Sequence, residues 1–324
     1  MNISGNQRYG NPGLARQYPY KTVLVGTSHV MEMRSDDLSG ILKEPTINLS
    51  ISGGLIREQA QLVELVLRQN KAQTILWEMN YPSLSFGDTF DSEGQDYPEY
   101  FYNPTIETPF RYLMSFDTLV QSFKALTGPH EVNIDNRNQQ VSREFSKERV
   151  FAHWDQQVQR WNEDLRKIWA RYRLTEITHV ELLHRRLLPI IKQYPEVTFK
   201  LFLPPTNMLN FLLGKHIGDF EIEQRIEYRN ALAEFGGQFP NVEVYDFEVD
   251  WATNENLERF RDLEHFDQTI LRNIFVQISK RNMRVDRETM LANTKDLHRR
   301  INNFSKLFCS ENPGHCPITL KIEN

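Results

Sequence analysis

Apolar residues fall along this chain in two rhythms. Five short runs are almost continuous in β-branched, aliphatic and aromatic residues: 21–26 (KTVLVG), 46–52 (TINLSIS), 74–79 (TILWEM), 197–203 (VTFKLFL) and 242–247 (VEVYDF). Unbroken apolar runs of this length are what strands need when helices cover both faces of their sheet. Other segments repeat their apolar positions with a helical period, namely 55–69, 222–235, 268–280 and 287–307. Strands alternating with amphipathic helices predict a parallel sheet with helices on both sides. Five strands suit a flavodoxin-like order, so the expected fold is a three-layer α/β/α sandwich.

The spacing is uneven. A long stretch separates the third run from the fourth, and it contains two segments of helical spacing, 110–126 and 149–172, the second carrying Trp154, Val158, Trp161, Leu165 and Trp169. Between them, 128–142 (GPHEVNIDNRNQQVS) is polar and irregular, as an exposed loop would be. The pattern predicts one domain over residues 1–324 with a helical insertion at about 88–175, capping the edge or the carboxyl end of the sheet. The tryptophan row is read as core.

Composition narrows the field. Hydrophobic residues make up 40% and charged residues 25%, and the formal net charge is −5. That balance carries no electrostatic footprint for nucleic acid. Local basic pairs such as Arg185-Arg186 and Arg299-Arg300 are read as solvated helix faces. No stretch approaches the about 20 apolar residues that span a bilayer. Residues 1–17 are polar, without the apolar centre of a signal peptide. The sequence starts abruptly before its first strand, which leaves room for an anchor or signal preceding it. Cys309 and Cys316 are the only cysteines, with Asn312-Pro313-Gly314 between them. A turn between two close cysteines suits a disulfide, and with it an oxidising compartment; two free thiols are the alternative.

Ligands of open α/β sheets bind beyond the carboxyl ends of the strands, so the polar residues that follow each strand are the candidates. After the first run comes Gly26-Thr27-Ser28-His29. A serine on a strand-to-helix turn can be held exposed, with helical N–H groups beside it for an oxyanion; serine is equally a preferred helix N-cap. After the second run, Ser52-Gly53-Gly54 lets backbone N–H groups approach a ligand, or simply makes a tight turn. No G-x-G-x-x-G spacing is present, so a dinucleotide fingerprint is missing. After the third run comes Glu78-Met79-Asn80-Tyr81-Pro82, where an Asn amide could donate to an oxyanion. After the fifth, a polar loop leads to Asp262-Leu263-Glu264-His265, expected at the start of a helix. A carboxylate near an imidazole fixes its tautomer and stabilises its protonated form, and His265 could then take a proton from Ser28. His29 adjoins Ser28 in sequence, which rarely gives a base the right geometry. His29 and Tyr81 are expected to line the site instead.

Each signal is weak alone, but they occur in one order, each after a strand of one sheet. That order resembles the four blocks of the SGNH/GDSL hydrolase superfamily. The resemblance implies Ser28 as nucleophile with Asp262 and His265 as its partners. It implies an oxyanion hole from the Ser28 N–H, the Gly53 or Gly54 N–H and the Asn80 side chain. It covers the sheet-forming parts of the chain and not the insertion. Three positions depart from the pattern: Thr27 replaces the Asp of G-D-S, Glu78 stands at a usual Gly, and Tyr81 at a usual Asp. The last two bear on Asn80 as an oxyanion donor.

Segments 11–15 and 26–28, together with Leu203-Pro204-Pro205 and Tyr245-Asp246-Phe247, look similar to bacterial envelope members of that superfamily. That branch includes the alginate O-acetyltransferases and proteins of teichoic-acid D-alanylation. The resemblance implies a serine-dependent esterase or O-acyltransferase, O-acetyl above all, with a polysaccharide substrate and an integral-membrane acyl-transfer or export partner. It implies an extracytoplasmic location with an N-terminal anchor and no cofactor. The alternatives are an inactive component of a polysaccharide assembly complex and a cytoplasmic lipase- or thioesterase-like enzyme. His179 and His184 lack the i,i+4 spacing of a helical metal pair. Asp88 and Asp91 are candidate ligands of sugar hydroxyls. The aromatic run 97–102 (YPEYFY) is read as a packed loop, with sugar stacking as the alternative.

Overall fold

The computed structural model describes residues 6–81, 83, 97–102, 144–173, 178–317 and 320. Its sheet has six strands in the order β2-β1-β3-β4-β5-β6. They are β1 (Thr22–Val25), β2 (Thr46–Asn48), β3 (Thr74–Glu78), β4 (Thr198–Leu203), β5 (Val242–Asp246) and β6 (Arg284–Val285). The first five pair in parallel, in the expected flavodoxin-like order. The two-residue β6 adds an antiparallel edge, unforeseen because Arg284–Val285 is too short to carry a pattern.

The described helices before β4 are α1 (Gln7–Gln17), α2 (Ser28–Met31), α3 (Ser35–Leu42), α4 (Ile56–Leu67), α5 (Lys147–Arg173), α6 (His179–Arg186) and α7 (Leu188–Gln193). After β4 come α8 (Met208–Ile217), α9 (Asp219–Gly237), α10 (Trp251–Asn254), α11 (Gln268–Ser279) and α12 (Arg287–Glu311). They divide the apolar core into two bodies. One, including Val23, Val25, Trp77 and Leu201, packs with α4 and α6; the other, including Leu24, Leu76, Phe202 and Tyr245, packs with α8 and α11. Alternate strand residues thus supply opposite faces, and both are buried, which is why the strands read as continuous apolar runs.

One strand is shorter than expected, and one helix was not foreseen. Backbone pairing beside β1 does continue past Asn48, with Leu49 and Ile51 donating to the Leu24 and Gly26 carbonyls, but β2 itself ends at Asn48, short of the expected 52. The first helix, α1, was hidden by its composition. Its buried positions include Gln7, Arg8, Gly10, Asn11 and Pro12, so burial follows polar and backbone contacts rather than an apolar stripe. Lastly, the aromatic run 97–102 is packed, as expected, with the Tyr97 and Tyr102 rings stacked at 4.8 Å and the Tyr102 hydroxyl donating to the Arg8 carbonyl.

The expected helix 110–126, the loop 128–142 and Asp88 and Asp91 lie outside the described residues. Of the tryptophan row, Trp154 is fully buried, and its indole N–H donates to the His315 carbonyl. His184 packs edge-on against Phe235. Cys309 and Cys316 form a disulfide at the end of α12. Such a bond fits an oxidising environment. No helix among the described residues is long and apolar enough to cross a membrane.

Candidate active site

Parallel register brings the site together. Because Ile51 donates to the Gly26 carbonyl, the chain leaves β1 and β2 side by side, and Ser28 and Gly53 each follow two residues later. Ser28 opens the short helix α2 and is half-buried. Its Oγ lies 2.8 Å from His265 Nε2. The other imidazole nitrogen, Nδ1, faces the Asp262 carboxylate at 2.8 and 3.0 Å. A carboxylate only accepts, so Nδ1 carries the proton of the neutral ring and the bare Nε2 accepts from the Ser28 hydroxyl. The three expected side chains therefore form one hydrogen-bonded chain. The imidazole and carboxylate retain 20% and 24% exposure.

Asp262 and His265 sit in a tight loop rather than at the expected helix start. Phe260 and Phe266 form a bridge at its base, and Arg261 N–H donates to the His265 carbonyl. Asp267, two residues beyond His265, caps α11 instead. The loop is shaped by Asp262 itself, whose Oδ1 accepts the backbone N–H groups of Glu264 and His265 at 2.8 and 2.7 Å. Burial alone would push the Asp262 carboxyl up. The His265 hydrogen bond and charge, with those two N–H groups, outweigh burial and hold it well below the usual carboxylate range. Arg261 adds a cation 3.5 Å from Asp262 and a second contact to Glu32.

Residues distant in sequence brace this loop. Asn207, after β4, donates to the Asp262 carbonyl at 3.0 Å. Leu263 N–H donates to His153 Nδ1 on α5 at 3.2 Å. Helix α5 thus touches the loop that carries His265. Both are single, non-local contacts of ordinary residue types, with nothing in the local sequence to announce them.

The glycine turn is held just as firmly. Gly53 has φ 56°, a conformation that suits glycine. Gly54 N–H donates to the Ile51 carbonyl at 2.9 Å, so Gly54 is already engaged and Gly53 is the remaining candidate donor of the pair. Asn11 on α1 donates to the Leu49 carbonyl, and Arg8 donates to the Ser52 carbonyl at 3.1 Å. Arg8 also forms a buried bidentate pair with Glu58 of α4, both bonds 2.8 Å.

Two of the other expected residues, Asn80 and His29, pack beside the Ser28 turn, and Tyr81 lies further off. Asn80 is buried, with its amide 3.1 Å from His29 Nδ1 and 3.5 Å from Thr27 Oγ1. Tyr81 packs on α9, against the Tyr228 ring and under the Arg225 guanidinium, with its hydroxyl toward Gln224. His29 is buried behind Ser28 and donates to Glu78 at 2.7 Å, its ring edge against that of His265. Burial alone would lower the His29 pKa; Glu78 first, then Glu264 and Asp262, outweigh it and raise the pKa. Among the described residues, no three His, Cys, Asp or Glu side chains converge as a metal site would require.

No family model matches the sequence, and no curated protein matches it. Among solved structures, the chain is similar to a Streptococcus pneumonia protein named, provisionally, a platelet activating factor. The two share 11% sequence identity at a TM-score of 0.43, over 85% of this chain and 89% of that one.

Proposed function

We propose that this chain is a serine-dependent esterase or O-acyltransferase of the SGNH kind, acting through an acyl-enzyme on Ser28. The observation that carries the reading is the hydrogen-bonded chain from Ser28 through His265 to Asp262. Serine is a poor nucleophile unless a base takes its proton as it attacks. Here Ser28 would attack an ester carbonyl while His265 Nε2 accepts the hydroxyl proton. Asp262, held ionised, stabilises the resulting imidazolium. The backbone N–H groups of Ser28 and Gly53 are the donors proposed for the oxyanion. His265 then protonates the departing alcohol and later deprotonates the acceptor. Water as acceptor makes an esterase, and a sugar hydroxyl makes a transferase.

A bacterial exopolysaccharide or envelope glycan is the proposed substrate class, supported by the resemblance of 11–15, 26–28, 203–205 and 245–247 to the envelope branch. The disulfide supports an extracytoplasmic setting. An integral-membrane acyl-transfer or export partner and an anchor preceding the domain belong to the same proposal. A second reading, an inactive component of a polysaccharide assembly complex, is favoured by one observation: Asn80, the expected third donor, is packed on Thr27 and His29.

The test is p-nitrophenyl acetate turnover and fluorophosphonate labelling, each followed by intact mass, for wild type and Ser28→Ala. Release by wild type alone, with an acyl or phosphonyl adduct mapped to Ser28, supports the enzyme. Removing the nucleophile should cost several orders of magnitude, on the order of 10⁶ in kcat. Equal background from both proteins favours the assembly role. Added oligosaccharides that receive the acetyl group then identify a transferase.

A further inference from the structure

Glu78 is a glutamate at the end of β3 with no solvent exposure at all. A buried carboxylate is costly unless several donors compensate it. Its donors are all on the turn that holds Ser28. Glu78 accepts the Thr27 backbone N–H at 2.6 Å, the Thr27 hydroxyl at 3.1 Å and His29 Nδ1–H at 2.7 Å. Thr27 and His29 are the immediate neighbours of Ser28 on either side. The fit extends one residue further back: a Cβ on Gly26 would lie 2.4 Å from Glu78 Oε2 and 2.7 Å from Glu78 Cβ. Glu78 is thus fitted to three of the four residues 26–29, namely Gly26, Thr27 and His29.

Resting on the serine-hydrolase reading, we infer that Glu78 is a positioning residue for the nucleophile, clamping Thr27 and His29 so that Ser28 Oγ faces His265. His29 is the second donor of this clamp, and against the effect of burial Glu78 favours its protonated form. Its ring lies between Glu78 inside and Glu264 outside, with Nε2 3.9 Å from the Glu264 carboxylate. The groups facing it are Glu78 from β3, Asn80 beyond that strand, and Asp262, Glu264 and His265 from the base loop. The Asn80 amide nitrogen lies 3.1 Å from His29 Nδ1 and donates to Thr27 Oγ1 at 3.5 Å. The two departures at Thr27 and Glu78 thus meet in space: the carboxylate missing after Gly26 is supplied from the neighbouring strand, and Thr27 donates to it twice.

The test compares wild type, Glu78→Gln, His29→Gln and Ser28→Ala by fluorophosphonate labelling rate, by kcat and KM on p-nitrophenyl acetate from pH 5 to 9, and by melting temperature. An amide at Glu78 presents a donor to one of three donors, so the turn loosens and His29 loses its partner charge. A nucleophile displaced by about 1 Å loses roughly 10²-fold in rate. The expected result for Glu78→Gln is therefore a kcat and labelling rate down about 100-fold with KM little changed. The acid limb of the pH profile should move upward, because a positive charge beside His265 is gone. His29→Gln keeps an N–H donor for Glu78 without the charge; it should retain more activity than Glu78→Gln and show the same upward limb, which keeps the test open if Glu78→Gln does not fold. Wild-type rates and an unmoved limb in both variants overturn the inference, as does a fall in melting temperature with no change in labelling or pH profile. If wild type and Ser28→Ala are equally inert, the hydrolase reading falls and the inference with it.

Discussion

Replacing Arg8 by methionine should destabilise the protein far more than the loss of one hydrogen-bonding side chain suggests. Arg8 and Glu58 are 5% and 2% exposed and joined by two 2.8 Å bonds. Among the described residues, the variant leaves the interior Glu58 carboxylate with only the Leu55 N–H to compensate it. Breaking a buried pair from one side costs about 3–5 kcal/mol, most of it from the uncompensated charge. For a chain of 324 residues that corresponds to a fall on the order of 4–7 °C in melting temperature. The double variant Arg8→Met/Glu58→Gln separates charge from packing. Its second substitution removes the stranded charge and keeps an acceptor for the Leu55 N–H, so the loss should shrink to about 1–2 kcal/mol, the scale of the missing hydrogen bonds. Denaturant melts of the three proteins measure both numbers. A single-variant loss below about 1 kcal/mol, or a double variant as unstable as the single, would refute the stranded-charge argument. Because Arg8 also holds the Ser52 carbonyl, both variants should react more slowly at Ser28 even where stability recovers.

Three further outcomes are expected. Asp262→Asn should keep the loop's backbone contacts but present the wrong partner to His265 Nδ1; kcat on p-nitrophenyl acetate should fall by roughly 10⁴, and the folded protein should melt within a few degrees of wild type. Removing the Cys309–Cys316 bond by double serine substitution, or by dithiothreitol on the native protein, should cost about 2–3 kcal/mol, since the bond closes a short loop; an unchanged melt would show that α12 and the His315 contacts hold this end unaided. Stability should also depend on pH with two opposite signs. Burial works against His29 protonation, but Glu78, Glu264 and Asp262 raise its folded pKa, so its contribution is complete below about pH 6.5 and is lost as pH rises through the folded value. The Asp262 pKa is depressed, despite burial, so its contribution is present above about pH 3.9 and is lost as pH falls further. Melting temperatures from pH 3 to 10 test both limbs, and His29→Gln should flatten the alkaline one.

The parts of this fold that were legible in sequence are those where burial is apolar. The strand residues 23–25, 75–77 and 201–203 are hidden on both faces, and their side chains are aliphatic or aromatic. Helix α1 was illegible because it buries Arg8 and Asn11 through hydrogen bonds to Glu58, Leu49 and Ser52, and a polar helix held by specific partners leaves no periodic apolar trace. The same limit applied at Asn80 and Tyr81. A residue that follows a strand is correctly placed at the carboxyl end of the sheet, but its side-chain direction is set by neighbours remote in sequence, here His29 for Asn80 and α9 for Tyr81.

The proximity of Ser28 and His265 was legible for a different reason, which also explains why Glu78 was read as a departure and not as a partner. In a parallel sheet, every strand delivers its next residue to the same edge, so chain order after each strand fixes proximity without knowledge of side-chain contacts. Register then decides which residues touch. Val25 pairs with Trp77, so Gly26 and Glu78 are the next residues on adjacent strands and must share one space. That space holds either a side chain on the first strand or a long one on the third, as the 2.4 Å contact to a Cβ on Gly26 shows. A glutamate at 78 therefore demands glycine at 26 and donors at 27 and 29, and the sequence Gly-Thr-Ser-His supplies all of them. Seen singly, Thr27 and Glu78 weaken the likeness to a serine-hydrolase pattern. Placed by register, they form one charge-compensated support beneath Ser28, and a substitution at either position should be tolerated only with a matching change at the other.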